Sequence, residues 1–438
     1  MFQRWVGLVL VASFLAAVPA FGDDDAPPAA LKFGLDTRVR EVTLHNLLDF
    51  DDDTKTPPVS DAHFFRVRHR VWSRLDLRAG LSLYARFTTE WRKYLDPYLS
   101  PAKTEIILDN FYCDVPKLPG LPFSLRIGRQ DLIRGEGFVL LEGGPNDGSR
   151  SIYQNAILLS GAGDVFGFRG AKFDLFAIRN LVKDEFVIAN DQEKWLTNED
   201  ETAFGLYVTH SDLFSGKNEA YYIYKRADRV AEGPGCNRRL HTLGTRVTGE
   251  LPWNLTFGME GAWQFGAHDS SHSEEKCADH QAYGGYAWVS RSFLTLLRPT
   301  IRLGGFTLSG DDPDTEDYEG WDPIFSRWPK WSELYIYTQI AETGRVAYWT
   351  NTSAFQAQLA LELSGRTKLA YTYYRLHAPQ APIGGCTDRG DLHEWKLSSK
   401  FSDSVSGHFL VERLWPGDFY NEPQDDAYFI RWELMVKQ

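Results

Sequence analysis

The stretch His63–Arg78 reads HFFRVRHRVWSRLDLR. From residue 65 onward its odd positions carry Phe65, Val67, His69, Val71, Ser73, Leu75 and Leu77. Its even positions carry Arg66, Arg68, Arg70, Trp72, Arg74, Asp76 and Arg78. This is period two, so as a strand the segment has one mostly apolar face and one arginine-rich face. Wound as a helix, the same residues would scatter arginines all round. A soluble sandwich would turn the apolar face inward and carry the arginines outside. A membrane barrel inverts that order, with apolar residues on lipid and arginines around a wet lumen.

Electrostatics helps to decide between them. Side chains on one face of a strand start about 6.7 Å apart. Two unit charges at that distance repel by about 0.6 kcal/mol in water and about 2.5 kcal/mol at an effective dielectric of about 20. Arg66, Arg68 and Arg70 make two such contacts in succession. A dry core would not hold them without partners, whereas a water-filled lumen would, and it would attract anions. Arg38 and Arg40 share this inward parity on the preceding segment, and Arg86 shares it on the following one. Arg126, Arg246 and Arg302 share it further on. These arginines are the candidate pore lining. The competing reading ties them to lumen carboxylates such as Asp36, Asp76, Glu90 and Glu260 as a structural network.

The whole chain supports the barrel. Residues 1–22, MFQRWVGLVLVASFLAAVPAFG, have a basic start, a short apolar run and small residues near the end. That is the pattern of a cleaved secretory signal. No later apolar run is long enough for a transmembrane helix, so a membrane reading requires a closed barrel. Aromatics make up 14% of the 438 residues, yet mean hydropathy is negative. That combination suits strands that are apolar on alternate residues only. About eighteen alternating segments lie between Leu31 and Val436. In Leu255–Gly266, for example, Leu255, Phe257, Met259, Trp263 and Phe265 share one parity, and Thr256, Gly258, Glu260 and Gln264 the other. One alternating segment spans Ala347–Leu363. Connections alternate short (Leu251–Asn254, Ser364–Arg366, Ser402–Ser404) and long (Asp49–Asp61, Asn180–Glu201, Ser309–Arg345). The expectation is an all-β chain: residues 23–438 as a single transmembrane antiparallel β-barrel with short periplasmic turns and long extracellular loops, in lipid of the bacterial outer membrane.

The rest of the inventory excludes more than it adds. A net charge of −12 argues against nucleic acid as a partner. No GxSxG, HExxH or GxxxxGK[ST] motif occurs, so no enzyme is expected. No Cys/His spacing suits zinc, and no cofactor is implied. Asp311, Asp312 and Asp314 form an oxygen-rich cluster that is a weak calcium candidate, although the spacing lacks the EF-hand pattern. Cys236 and Cys277, in consecutive long loops, are the disulfide candidate.

Four segments carry a family resemblance: Ser124–Gln130 (SLRIGRQ), Ser309–Pro313 (SGDDP), Trp321–Phe325 (WDPIF) and Pro416–Tyr420 (PGDFY). In this order they resemble recurring segments of the alginate export porin family. The resemblance implies an eighteen-stranded outer-membrane barrel that passes a polyuronate through an arginine-rich constriction. It points to Arg66, Arg68, Arg70, Arg74 and Arg126 as pore-lining, and gives Ser309–Arg345 a gating role. Arg129, within the GRQ of the first segment, has outward parity. The chain ends Val436-Lys437-Gln438, without the terminal aromatic common in such barrels. The expected function is diffusion of an anionic solute, an acidic polysaccharide or oligosaccharide, with periplasmic export partners. A small-anion porin and a plugged surface-binding or structural barrel are the alternatives.

Overall fold

The computed structural model describes residues 29–438 except 55–59, 78–79, 100–103, 143–152, 166–167, 185, 194–196, 198, 212–215, 230–236 and 269–276. The signal segment and Cys236 lie outside the described residues.

Eighteen long strands follow one another in the order of the chain. They are β1 (Ala30–His45), β2 (Ala62–Asp76), β3 (Ser82–Asp96), β4 (Ile106–Val115), β5 (Phe123–Gln130) and β6 (Gln154–Val165). Next come β7 (Phe168–Asn180), β8 (Glu199–His210), β9 (Asn218–Arg229), β10 (Arg238–Leu251), β11 (Leu255–His268) and β12 (Ala278–Ser292). The last are β13 (Thr300–Leu308), β14 (Thr352–Ser364), β15 (Thr367–His377), β16 (Asp388–Lys400), β17 (Val405–Trp415) and β18 (Ala427–Lys437). Each pairs antiparallel with its neighbours, and β1 closes the sheet against β18, with Asp36 opposite Lys437 and His45 opposite Tyr428. Closure leaves neither β1 nor β18 as a free edge, which is what hydrocarbon requires.

The register explains the decisive stretch. On the outer face Leu35, Val71 and Phe87 lie side by side across β1–β3 and are all exposed. On the inner face Arg40, Arg66 and Arg92 form one lateral row, and Arg38, Arg68 and Glu90 form the next. Arg68 is 2% exposed whereas Val71 is 52% exposed. The greasy residues therefore face outward. Met259 and Trp263 on β11 follow the same rule, while Glu260 and Gln264 are buried inside.

One expected strand starts in the wrong place. The alternation from Ala347 runs into β14, but β14 begins at Thr352. Ala347 and Asn351 have positive φ, and Tyr348 and Trp349 belong to a loop whose own apolar side chains are buried in the lumen.

That loop, residues 309–351, folds inward from the extracellular rim. Trp321, Ile324, Phe325, Leu334 and Tyr335 are each at most 1% exposed. They share one core with inward residues of the wall such as Leu44, Phe64, Ile223 and Leu414. Two short helices, α1 (Tyr335–Thr338) and α2 (Ile340–Thr343), complete the inserted segment. The loop between β5 and β6 enters as well and forms a small hairpin, Leu132–Ile133 against Leu141–Glu142. The two loops dock on each other. Leu141 N donates to Phe325 O (3.0 Å), Phe325 N donates to Val139 O (3.3 Å), and the rings of Phe138 and Trp321 stack at 5.2 Å.

Wall residues pin the inserted loop by charge. Glu412 on β17 accepts from Ser332 Oγ (2.5 Å), Glu333 N (3.0 Å) and Leu334 N (2.8 Å). Arg238 on β10 reaches Asp322 and Glu199, both at 2.5 Å, and Tyr348 donates to the same Asp322 (2.9 Å). Arg389 grips Glu342 with two bonds of 2.6 Å. Lys225 Nζ donates to Ile324 O (2.8 Å). Buried loop backbone needs such partners, since an unsatisfied polar group out of water is costly.

Candidate channel and its charged lining

Among the described residues the inserted loops leave two sizeable chambers. The larger, about 670 Å³, is walled by β12–β18, by Arg40 of β1 and by the loop residues Trp328–Glu333. The smaller, about 390 Å³, lies at the periplasmic end under β2 and β4–β6, lined by Arg74, Asp114, Arg126, Asp131 and Arg134. The β5–β6 hairpin stands between them. Ile133, Gly135 and Glu136 face the larger chamber, and Asp131, Leu132 and Arg134 face the smaller.

The ten sequence-predicted arginines fall into two groups. Six are held by carboxylates and line neither chamber. Arg38 lies 3.9 Å from Glu433, Arg66 3.0 Å from Glu90, Arg68 3.0 Å from Asp36 and Arg70 3.8 Å from Asp109. Arg86 bridges Asp109 (2.9 Å) and Asp131 (3.1 Å), and Arg246 binds Glu219 (2.7 Å) and Glu136 (3.1 Å). Four reach chamber walls. Arg40, paired with Glu433 at 2.5 Å, and Arg302 line the larger. Arg74, with Asp76 at 2.7 Å, and Arg126, with Asp114 at 2.6 Å, line the smaller. Arg129 is 5% exposed, paired with Asp184 at 2.9 Å and roofed by the rings of Tyr153 and Phe186.

In the larger chamber the acids and bases are equal in number, five glutamates against five lysines and arginines, but not in availability. Glu433 is taken by Arg40, Glu333 by Arg431, Glu136 by Arg246, and Glu412 by the loop amides. Arg302, Lys330 and Lys396 have no carboxylate partner among the described residues, and Glu394 is the one acid left without a pair. The local balance is therefore positive. Arg302 lies over the Trp288 ring at 4.1 Å. Lys330 Nζ donates to Glu136 O (2.8 Å) and faces the rings of Tyr286 (4.8 Å), Trp328 and Trp331 (both 5.7 Å). Aromatic faces beside unneutralised cations suit a ligand that carries both an apolar ring face and an anionic group.

Sequence reasoning missed Lys396, although its alternation with Trp395 and Leu397 in a clear strand could have found it. Lys330 was not, because it sits in a loop with no period to read.

Burial beside those rings pushes the Lys330 ammonium down to about 8; Glu136 and Glu260 oppose this, and Arg246 and Arg302 add to it. Two consequences follow with opposite signs. Above pH 8 the chamber loses one of its three unneutralised cations, so anion preference is expected to fall between pH 7 and pH 9. A lysine lowered from about 10.4 when unfolded is destabilising while charged. Docking of the loop is thus expected to tighten over pH 8 to 10. Reversal potentials across a salt gradient at pH 7, 8 and 9 check the first, and a preference unchanged over that range would count against it.

The calcium candidates serve the loop instead. Asp311 accepts from Glu319 N (3.0 Å) and Asp312 from Asp314 N (3.0 Å). Among the described residues no three His, Cys, Asp or Glu side chains are grouped to hold a metal ion. Cys277 is described, but its expected partner Cys236 is not.

Known proteins place this architecture. A BenF-like porin from Pseudomonas fluorescens Pf-5 is similar with a TM-score of 0.58 at 9% identity, over 93% of this chain and 98% of the porin. OpdK of Pseudomonas aeruginosa, solved with vanillate, gives 0.55 at 8% identity over 93% and 98%. OccK2 (OpdF) of the same species, solved in complex with glucuronate, gives 0.51 at 12% identity over 93% and 95%. At these identities the likeness concerns the fold. No curated protein matches the sequence. The family model described as alginate export matches residues 30–431, nearly all of the described chain. The protein belongs to the alginate export family and is a solute channel of the bacterial outer membrane.

Proposed function

We propose that the channel passes an acidic saccharide, an alginate-like polysaccharide or oligosaccharide, by diffusion along the basic lining. The single observation that carries this reading is the chamber in which Arg302, Lys330 and Lys396 stay unneutralised beside Trp288, Trp331 and Tyr286. Carboxylates exchange water and counterions for guanidinium and ammonium contacts, while sugar rings lie on the aromatic faces. Each contact is weak, so a chain that enters can also leave. Arg40, Arg74 and Arg126 reach the chamber walls as carboxylate-paired donors, and Arg38, Arg66, Arg68, Arg70, Arg86 and Arg246 hold the wall beneath them. The glucuronate in the OccK2 structure favours a sugar acid over a simple inorganic anion as the solute.

Planar-bilayer conductance tests the proposal. The expected results are anion preference and concentration-dependent block by oligouronate at concentrations where phosphate and neutral oligosaccharide have no effect. Cation preference overturns it. Equal block by phosphate and oligouronate assigns the channel to small anions in general.

A further inference from the structure

The outer wall carries a second basic feature, unrelated to the lumen. At the extracellular ends of β7–β10, Arg179, Arg226 and Arg239 all stand exposed on the lipid-facing side. They share the parity of the exposed Leu175, Tyr222 and Leu243 on the same strands. The register sets them in one lateral row. Thr202 of β8 lies opposite Arg179 on one side and Arg226 on the other, and Arg226 lies directly opposite Arg239.

Two like charges directly across an antiparallel pair destabilise it unless an anion lies between them. The carboxylates facing the row are Asp200, 3.4 Å from Arg179, and Asp228, 2.6 Å from Arg226. Both pairs are exposed, so they are weak and exchangeable. Arg239 has no carboxylate partner among the described residues. The arginines of β15 and β17 at the same rim differ. Arg375 is held by Asp388 and Asp391 together, and Arg413 is chelated by Asp426.

Just below the row lies an aromatic band. Tyr222 bonds His241 (2.7 Å), His241 stacks on Phe265 at 4.9 Å, and Phe265 meets Trp263 at 4.7 Å. Such a band marks the boundary between acyl chains and headgroups. The guanidiniums therefore stand at headgroup level. Planar guanidiniums bind phosphate oxygens in pairs, and an adjacent pair of arginines suits a phosphate better than a single carboxylate.

We propose that the Arg179–Arg226–Arg239 row docks a phosphate-bearing headgroup of an outer-leaflet glycolipid, with its acyl chains against Phe204, Leu206 and Leu243 below. The phosphate sits between Arg226 and Arg239 and relieves their repulsion.

The test uses the purified full chain in zwitterionic detergent, with native mass spectrometry reading bound lipid. The probes are bisphosphoryl lipid A, the same lipid with its phosphates removed, and inorganic phosphate. Wild type is expected to hold the phosphorylated lipid at least ten-fold more tightly than the dephosphorylated one, and R226Q/R239Q to lose that preference. R226K/R239K should keep part of it. Equal affinity for both lipids, or a preference untouched in R226Q/R239Q, overturns the proposal. So does displacement of the lipid by inorganic phosphate at equal concentration, which would indicate a free-anion site. Should R226Q/R239Q fail to assemble, R239Q alone is judged by the same criterion. None of these residues lines either chamber, so anion conductance reads independently.

Discussion

Replacing Arg238 with methionine is expected to raise single-channel conductance several-fold while leaving a folded, heat-modifiable barrel. Arg238 bridges Glu199 at the mouth of β8 and Asp322 of the inserted loop, while Arg345 of the loop also reaches Glu199 at 3.2 Å. Burial by itself would raise the Asp322 carboxyl. The guanidinium of Arg238, followed by Lys225, more than reverses that and holds it well below the usual carboxylate range. Removing one partner of a buried pair costs about 3–5 kcal/mol, because the other charge stays behind without compensation. That corresponds to about two to three and a half orders of magnitude in the docked-to-released population of the loop, at roughly 1.4 kcal/mol per factor of ten. The barrel ladder does not pass through Asp322, so the cost falls on the loop. The sign with pH follows. A carboxyl depressed in the docked state contributes stability above its ordinary value near about 4 and loses it as pH falls. Wild-type conductance is therefore expected to rise on strong acidification and that of R238M to depend less on acid. Conductance of R238M equal to wild type at neutral pH would show that the loop does not limit flow.

Neutralising the larger chamber with R302Q/K330Q/K396Q is expected to lower the anion-to-cation permeability ratio by on the order of ten-fold. A unit charge about 7 Å from a permeant ion contributes roughly 0.6 kcal/mol in bulk water and more in a narrow lumen. Three such charges amount to about 2 kcal/mol or more, a factor of ten or above. The effect should be largest at low salt, because about 0.1 M salt screens beyond about 10 Å. R66S/R68S/R70S is expected to act differently. Each of these arginines already has a carboxylate within 4.0 Å, so its removal exposes Glu90, Asp36 and Asp109 and weakens assembly along with selectivity. A triple glutamine variant with an unchanged reversal potential would move the selectivity site out of the larger chamber.

The two variants separate what could be read along the chain from what could not. The parity of Arg66, Arg68 and Arg70 was legible, and so was the outward set of Leu255–Gly266. Period two is a local property of the backbone, and lipid outside with water inside gives each parity one fate. Two of their neutralising partners, Asp36 and Glu90, were legible as lumen carboxylates, but the others were not. Asp109 and Glu433 sit on β4 and β18, and only sheet closure brings Glu433 beside Arg40, which is 393 residues distant in the chain. The Ala347–Leu363 segment misled for a related reason. Its first residues alternate like a strand, yet Tyr348 and Trp349 pack into the loop core within the barrel.

By itself the sequence determined that this is a closed barrel of about eighteen strands with apolar residues on lipid, arginines within and long loops at one rim, the longest being Ser309–Arg345. Side-chain alternation and loop length are written residue by residue, and a bilayer permits few ways to satisfy them. The tertiary structure alone decided where that loop goes, which arginines are spent on carboxylates and which cations are left over. Those outcomes depend on pairings between residues hundreds of positions apart, set by strand register and closure, and no local period encodes them.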